Sequence, residues 1–241
     1  MQGLTAADFA DTGQWRLIVN IHQEGMDAWL KNTLRADVDP QLLFKTEWSK
    51  NEEELLHNIE NAVFDHPRVL EDFAAQIILF DNKTLFIPRV VADENDGGEE
   101  ELYTEVYSGD PSNVMSERDG SVVSAFRMVS GLKSFLYRTF PGAKITSNLT
   151  ERVRELRKKG RGIRTVAEVR EKESDIMLFR DDELISASTR DRTTPEDIVY
   201  YIFNLFDIYN IDPRTAEVKI KGVVLPEEIK NFLREKTLFT G

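Results

Sequence analysis

The stretch that decides the fold is Glu168–Val224, EVREKESDIMLFRDDELISASTRDRTTPEDIVYYIFNLFDIYNIDPRTAEVKIKGVV. It begins with three short runs rich in β-branched and aromatic residues, Val166–Val169, Ile176–Phe179 and Leu184–Ser188. Charged turns separate them, at Glu171–Ser174 and at Arg180–Asp182. Short apolar runs bounded by polar turns are typical of strands that pair in sequence. The stretch therefore opens with three predicted strands.

A helix start follows these strands. Thr194 can accept a hydrogen bond from the backbone N–H of Asp197, and Pro195 stands at the first helical position. Apolar side chains then recur at helical spacing, at Ile198, Ile202, Leu205, Phe206 and Tyr209. The helix is predicted to end before Asn210, and a last strand is predicted over Glu217–Lys221. The order is three strands, a helix and a strand.

The same order occurs earlier in the chain. Predicted strands at Trp15–Ile21, Ala28–Leu30 and Leu42–Trp48 precede a helix that opens at Asn51–Glu54 and a strand at Gln76–Phe80. The repeat lies in the order of the elements and not in residue identity. It predicts an α/β protein with mixed sheets. The glycines of Gly160–Gly162 suggest the boundary between two lobes, residues 1–160, with the acidic run Asp93–Glu101 as a loop insertion, and residues 161–241.

The composition indicates the cellular compartment in which the protein is expected. The 241 residues include no cysteine, which excludes disulfides and thiolate chemistry and favours a reducing compartment. The first residues lack the basic start and apolar core of a signal peptide. No apolar run approaches the roughly 20 residues that a membrane-spanning helix needs. A cytoplasmic protein without a membrane span is expected.

Charge is unevenly distributed. Residues 1–120 hold 9 Lys and Arg against 25 Asp and Glu, and residues 121–241 hold 22 against 18. The acidic first half would repel phosphate backbones. The second half has a basic segment with Arg157, Lys158, Lys159 and Arg161 at its centre, open to two interpretations. The segment is either a patch that binds RNA or an acidic partner, or a solvated helix face whose cations pair with neighbouring acids. The absence of aromatic residues between the cations favours the second interpretation.

Several segments together resemble a known family. They are Thr84–Pro88, Phe140–Ala143, Glu183–Ser186, Thr194–Ile202, Ile211–Pro213 and Lys221–Gly222. The chain resembles, over roughly Trp15–Val224, the uncharacterised bacterial family called domain of unknown function 3822, which is similar in fold to actin-like ATPases. The resemblance implies a duplicated ribonuclease H-like fold with two lobes and mixed sheets. It implies no assigned activity.

The resemblance also locates a nucleotide site to be tested against the residues. Actin-like ATPases hold phosphates with one Asp-x-Gly hairpin turn in each lobe. The matching turns here are Asn20–Gly25, which lacks that combination, and Arg170–Asp175, which has no glycine. Without glycine, side chains crowd the approach of backbone N–H groups to a phosphate. The site is therefore predicted to be degenerate, with Asn20, Gly25 and Gly222 facing the nucleotide only if one binds.

Other chemistry finds little support in the sequence. The histidines, His22, His57 and His66, lack close metal-ligand spacing and are interpreted as surface or turn residues, so no metal site is predicted. Ribonuclease chemistry needs a carboxylate on the first strand of a lobe, and Leu17–Ile21 has none. The corresponding strand near Glu168 offers one carboxylate without matching partners. No catalytic residue is proposed from the sequence.

The function expected is a protein-binding or scaffold module without catalysis, whose partner is another protein and which needs no cofactor. This expectation rests on fold-level analogy with actin-like pilus-assembly proteins that hold partners. Two alternatives remain open. One is an ATP-binding switch or weak ATPase that uses ATP and magnesium at Asn20, Gly25 and Gly222. The other is an RNA-associated protein that uses the basic segment 152–164, although nucleic-acid binding is not favoured.

Overall fold

The computed structural model describes residues 11–240, except residue 97 and residues 158–160, 171–172 and 192–193, and not the side chain of Asp191. The described residues form, in chain order, β1 (Trp15–His22), β2 (Gly25–Asn32), β3 (Gln41–Glu47), α1 (Leu55–Asp65), β4 (Ala75–Phe80), β5 (Thr84–Pro88), α2 (Arg89–Glu94), α3 (Gly98–Tyr107), β6 (Val114–Asp119), β7 (Val122–Arg127), α4 (Leu132–Thr139), β8 (Lys144–Ser147), α5 (Asn148–Arg157), β9 (Ile163–Val169), β10 (Glu173–Arg180), β11 (Glu183–Asp191), α6 (Pro195–Ile208), β12 (Ala216–Lys221), α7 (Glu227–Lys236) and β13 (Leu238–Phe239).

Two compact units divide the chain. Unit 1 holds the described residues up to Asn82 together with Ser108–Met115 and Phe126–Asn148. Unit 2 holds Lys83–Tyr107, Ser116–Ala125 and the residues from Leu149 onward. The units are thus built from interleaved segments, whereas the expected lobes, 1–160 and 161–241, are contiguous. That division into ribonuclease H-like lobes stays a prediction.

Unit 1 is organised around a five-stranded sheet in the order β3-β2-β1-β4-β8. The first two pairings are antiparallel and the last two are parallel. Leu17, Val19 and Ile21 alternate along β1 and are fully buried. They share one core with the buried residues Ile59 and Val63 of α1.

Unit 2 repeats this arrangement in a five-stranded sheet of order β11-β10-β9-β12-β13. β9 and β10, like β10 and β11, pair antiparallel, and β9, β12 and β13 pair parallel. Because the strand orders of the two sheets correspond one to one, the repeat predicted from element order is confirmed at the level of topology. A three-stranded sheet, β5-β7-β6, lies mostly in the same unit.

The central strands of the second sheet are buried on both faces. Ala167 and Ile176 contribute to the core that contains α6, and Val166 and Met177 contribute to the core that contains α5. Strands covered by helices on both faces carry near-continuous apolar runs. This explains why Ile176–Phe179 has no polar residue.

The helix predicted after Thr194 is α6. Thr194 Oγ1 accepts from the backbone N–H of Asp197 at 3.2 Å, and the Asp197 carboxylate accepts from the backbone N–H of Thr194 at 2.8 Å. This reciprocal capping box satisfies two backbone donors at the helix start. The predicted cap and first turn are confirmed.

The acidic run Asp93–Glu101 is not the solvated loop that was predicted. Asp93 and Glu94 end α2, and Glu99 and Glu100 lie in the first turn of α3, where acids favour the positive helix end. Glu99 is buried and accepts from Arg118 Nε at 2.9 Å. The ion pair between Glu99 and Arg118 of β6 therefore stabilises the start of α3. The local sequence does not reveal this pairing.

No helix in the described part of the chain has the length and apolar character needed to cross a membrane.

Candidate functional site

The candidate site in unit 1 is the hairpin of β1 and β2, which holds the turn that the sequence matched to a phosphate-binding turn. His22 pairs with Gly25 at the turn, and Asn20 pairs with Asp27 two residues further into the strands. His22 Nε2 lies 3.1 Å from a carboxylate oxygen of Asp27, and its Nδ1 lies 3.3 Å from one of Asp81, just after β4. Two carboxylates facing both ring nitrogens select the imidazolium form, in which both nitrogens donate.

Hydrogen bonds to Asp27 and Asp81 raise the pKa of His22 to about 9, against an opposing effect of burial. His22 is therefore positively charged at neutral pH. It supplies a fixed internal cation at the end of β1.

Asp27 is the centre of this hairpin. Burial alone would raise the pKa of its carboxyl group, but hydrogen bonds from His22, Asn20 and Trp29 outweigh burial and hold the pKa below its usual value. Asn20 Nδ2 donates at 2.7 Å, and the indole N–H of Trp29 donates to the same oxygen. The carboxylate is thus ionised and occupied by three donors.

The hairpin of β9 and β10 has an equivalent arrangement in unit 2. Arg170 stands opposite Glu173, with its backbone N–H donating to the Glu173 carbonyl at 2.8 Å. Arg170 Nη2 donates to Asp175 Oδ1 at 2.9 Å, and Thr189 Oγ1 donates to the same oxygen at 2.7 Å. Asp175 is buried. Of the turn predicted at Glu171–Ser174, residues 171 and 172 lie outside the described residues, and Glu173 and Ser174 belong to β10.

The register shows that the two hairpins correspond residue by residue. Counted from the turn, His22 opposite Gly25 corresponds to Arg170 opposite Glu173. Two residues further, Asp27 opposite Asn20 corresponds to Asp175 opposite Glu168. In each hairpin a cation at the turn forms an ion pair with an aspartate of the second strand.

Glu168, the carboxylate that the sequence noted on this strand, is also engaged by cations. It accepts from Lys221 Nζ at 3.0 Å and lies 3.2 Å from Arg152 Nε.

Two of the three residues predicted to face a nucleotide are glycines that the packing requires. A Cβ at Gly25 would lie 2.7 Å from the carbonyl oxygen of Thr46 on the neighbouring strand. A Cβ at Gly222 would lie 2.0 Å from the carbonyl oxygen of Val169, and Gly222 also has φ of +82°. Both distances are far below van der Waals contact, so each glycine permits a close approach of backbones within its own sheet.

The residues predicted to face magnesium and ATP, if a nucleotide binds, make close contacts within their own sheets. The third of them, Asn20, donates its side-chain amide to Asp27. No cluster of three or more histidine, aspartate or glutamate side chains in the described part of the chain can hold a metal ion. Among the described residues of the two hairpins, the carboxylates of Asp27 and Asp175 each accept hydrogen bonds from neighbouring side chains.

Neighbouring carboxylates form ion pairs with the arginines of α5 in the basic segment. Arg152 pairs with Glu155 at 3.0 Å and Arg154 with Glu117 at 2.7 Å. Arg157 Nη1 lies 3.3 Å from a carboxylate oxygen of Asp119, and only 17% of the Arg157 side chain is exposed.

Among the other residues predicted to bind a partner, Arg161 is exposed. Lys158 and Lys159 lie outside the described residues.

The fold matches a solved structure along almost its whole length. This is a Bacteroides thetaiotaomicron protein described as having an actin-like ATPase fold and unknown function, with 20% identity, a TM-score of 0.75 and coverage of 98% of this chain and 93% of that one. A PilM-PilN type IV pilus biogenesis complex matches with 9% identity, a TM-score of 0.45 and coverage of 93% and 87%. An Aquifex aeolicus Ppx/GppA phosphatase matches with 8% identity, a TM-score of 0.39 and coverage of 91% and 60%. No curated protein matches the sequence.

The chain is thus a mixed α/β protein with two sheet-containing lobes and an actin-like ATPase fold, as the resemblance implied. It belongs to the family described as protein of unknown function (DUF3822), whose model matches residues 6–234. The predicted family and fold are confirmed.

The residues that organise both hairpins could not be identified from the sequence, in which His22 is interpreted as a surface or turn histidine and no role is assigned to Asp27, Asp81 or Asp175. One local signal was present: a basic residue at the end of a predicted strand is followed five residues later by aspartate in both hairpins. Across a two-residue turn this spacing brings the two side chains close together.

Proposed function

We propose that this protein is a protein-binding or scaffold module without catalysis, in which an actin-like fold is retained and the nucleotide site is degenerate. The observation that carries the proposal is the ion pair within each hairpin, His22 with Asp27 and Arg170 with Asp175. A carboxylate already neutralised by an internal cation attracts magnesium weakly, and a side chain at the turn obstructs phosphate. The cytoplasmic location expected from the composition stays part of this proposal.

These hairpin residues form contacts between strands of their own sheets, which supports a structural explanation for them. His22 joins the end of β1 to the residue after β4 through Asp81, and Arg170 holds the start of β10 through Asp175. Such pairs hold the ends of neighbouring strands in fixed register. In this proposal, the hairpin turns that bind nucleotide in actin-like ATPases stabilise the sheets of this protein instead.

Calorimetric titration of the full chain with ATP and magnesium tests the proposal. We expect no heat of binding up to millimolar nucleotide. Micromolar binding that Asn20→Ala weakens, and that Asn204→Ala on the exposed face of α6 leaves unchanged, would contradict the proposal and favour the ATP-binding switch. Substitution of Gly222 is unsuitable for this purpose, because the added Cβ would collide with the Val169 carbonyl.

The RNA-associated alternative has a weaker basis. Arg157 is largely buried against Asp119, and Arg152 and Arg154 face carboxylates within 3.0 Å, so the segment presents less positive charge than its composition suggests. RNA binding that falls steeply with salt, and is abolished when Arg157, Lys158 and Lys159 are changed to glutamate, would support this alternative. We expect no binding that depends on these residues.

A further inference from the structure

Aromatic side chains form an exposed patch on α6 and α7 in unit 2. Tyr200 is 64% exposed and Phe232 is 42% exposed. Phe203, which is half-buried against the core of unit 2, follows Tyr200 by three residues on the same helix, and its ring centroid is 5.4 Å from that of Phe232. These three residues are called the α6–α7 patch. Contiguous aromatic surface of this kind is typical of interaction sites, whereas scattered single apolar residues are normal.

Carboxylates flank the patch on both helices. Glu196 lies one turn before Tyr200, Asp207 one turn after Phe203, and Glu228 one turn before Phe232. All three side chains are exposed, and within the described residues none has a cation within 4.0 Å.

The cations near the patch have other contacts. Lys230 and Arg234 both reach Glu227, at 2.7 and 3.8 Å. Lys236 pairs with Glu235 at 2.6 Å, and the Arg190 guanidinium lies 5.7 Å from the ring centre of Tyr201. Among the described residues, no ion pair within 4.0 Å neutralises the flanking carboxylates Glu196, Asp207 and Glu228.

We propose that the α6–α7 patch is a docking surface for a basic amphipathic segment of another protein. Apolar side chains of the segment cover Tyr200, Phe203 and Phe232, and its lysines and arginines reach the flanking carboxylates. An apolar centre with a complementary charged rim is the usual construction of a specific interface. The inference rests on the proposed protein-binding function and assigns it a surface and a partner chemistry.

Charge argues against two other occupants. A second copy docked through the same patch by two-fold symmetry would bring two sets of the carboxylates Glu196, Asp207 and Glu228 into one interface. An anionic membrane surface would repel the same carboxylates.

The test uses the full chain and a fluorescein-labelled 14-residue peptide of leucine and lysine patterned as an amphipathic helix. Fluorescence anisotropy should show binding that weakens with salt. Tyr200→Ser with Phe232→Ser should weaken it roughly tenfold or more, because aromatic anchors dominate such interfaces. The triple variant Glu196→Lys, Asp207→Lys and Glu228→Lys should do the same without touching the apolar contacts.

Matched controls separate the patch from general attraction to an acidic protein. Tyr137→Ser removes an aromatic residue that is 51% exposed on α4. The triple variant Glu53→Lys, Glu54→Lys and Glu105→Lys makes the same change in net charge at exposed positions elsewhere. Equal loss with patch and control variants would overturn the inference, as would absence of binding to the unsubstituted protein.

Two further measurements test whether a second copy of the chain or a membrane occupies the α6–α7 patch instead. A dimer seen by analytical ultracentrifugation and abolished by Tyr200→Ser would assign the patch to a second copy and overturn the inference. Binding to phosphatidylserine vesicles that depends on Tyr200 and Phe232 would do the same in favour of a membrane. Tight binding of ATP in calorimetry would contradict the proposed function but would leave the difference between patch and control variants unchanged, so the two failures are distinguishable.

Discussion

The chain forms the same kind of hairpin twice, and Asp27 and Asp175 occupy the same position in the two copies. Each lies two residues beyond the start of the second strand and accepts a hydrogen bond from a cation at the turn, His22 at 3.1 Å and Arg170 at 2.9 Å. The chemistry of the cation differs while the geometry is retained. Because histidine titrates and arginine does not, the two hairpins are expected to respond differently to pH.

The hairpin of unit 1 should lose stability as pH rises. The pKa of His22 is about 9 in the folded chain and about 6.5 when the chain is unfolded. The folded state binds the proton more tightly, so this stabilisation is fully present below about pH 6.5 and is lost as pH rises through about 9. Urea unfolding at a series of pH values should show a free energy of unfolding that decreases across this window.

Two variants and one spectroscopic signal control this prediction. His22→Gln should flatten the pH dependence, whereas His57→Gln, at an exposed histidine, should retain it. The imidazole Hε1 resonance of His22 should titrate near pH 9 in NMR spectra. A midpoint near 6.5 would show that Asp27 and Asp81 do not hold the imidazolium.

Loss of the Asp175 carboxylate should destabilise unit 2. Asp175→Ala removes a buried carboxylate that accepts hydrogen bonds from the partly exposed Arg170 guanidinium and from the Thr189 hydroxyl. The expected cost is about 1–2 kcal/mol in the free energy of unfolding, because the Thr189 hydroxyl loses its acceptor while Arg170 keeps Glu173 and solvent. Chemical denaturation measures it. Asp182→Ala, at an exposed turn, should change stability by less than about 0.5 kcal/mol, and an equally small effect at Asp175 would refute the ion pair.

The succession of three strands, a helix and a strand in each unit could be predicted from the sequence, whereas the spatial order of the strands in the two sheets could not. Apolar periodicity and turn residues determine these elements locally. The hairpin ion pairs could not be predicted in the same way, because they depend on register across two strands.

The elements that were missed have weak apolar patterns. No element was predicted after Lys221, yet α7 and β13 follow it. Only Leu233 of α7 is fully buried, and β13 is two residues long. β6 (Val114–Asp119) is mostly polar, and its Arg118 pairs with the acidic start of α3. Such elements are fixed by tertiary contacts, which local propensity does not record.

The capping box of α6 should contribute measurably to stability. Thr194→Ala removes the side-chain acceptor for the backbone N–H of Asp197 and is expected to cost about 1 kcal/mol in the free energy of unfolding. Thr194→Ser keeps a hydroxyl group at the cap and should restore most of the loss. Thermal unfolding followed by circular dichroism compares the two variants. Equal stability of Thr194→Ala and the unsubstituted protein would show that the cap is dispensable.

Gly222 and Gly162 give the sharpest comparison, because they have nearly the same backbone conformation in different surroundings. Their φ angles are +82° and +76°, so alanine at either position meets the cost of a left-handed conformation, about 1 kcal/mol. A Cβ at Gly162 has open space, whereas a Cβ at Gly222 would lie 2.0 Å from the Val169 carbonyl oxygen. Gly222→Ala should therefore cost at least about 3 kcal/mol, since β9 and β12 must move apart or the backbone must shift.

Denaturation of both glycine variants distinguishes packing from ligand binding as the reason for Gly222. If packing is the reason, Gly222→Ala unfolds far more easily than Gly162→Ala without any nucleotide present. If the two variants were equally stable and Gly222→Ala differed only in its response to ATP, Gly222 would serve a ligand and the degenerate-site proposal would fail. The close approach to Val169 within the sheet leads us to expect the first result.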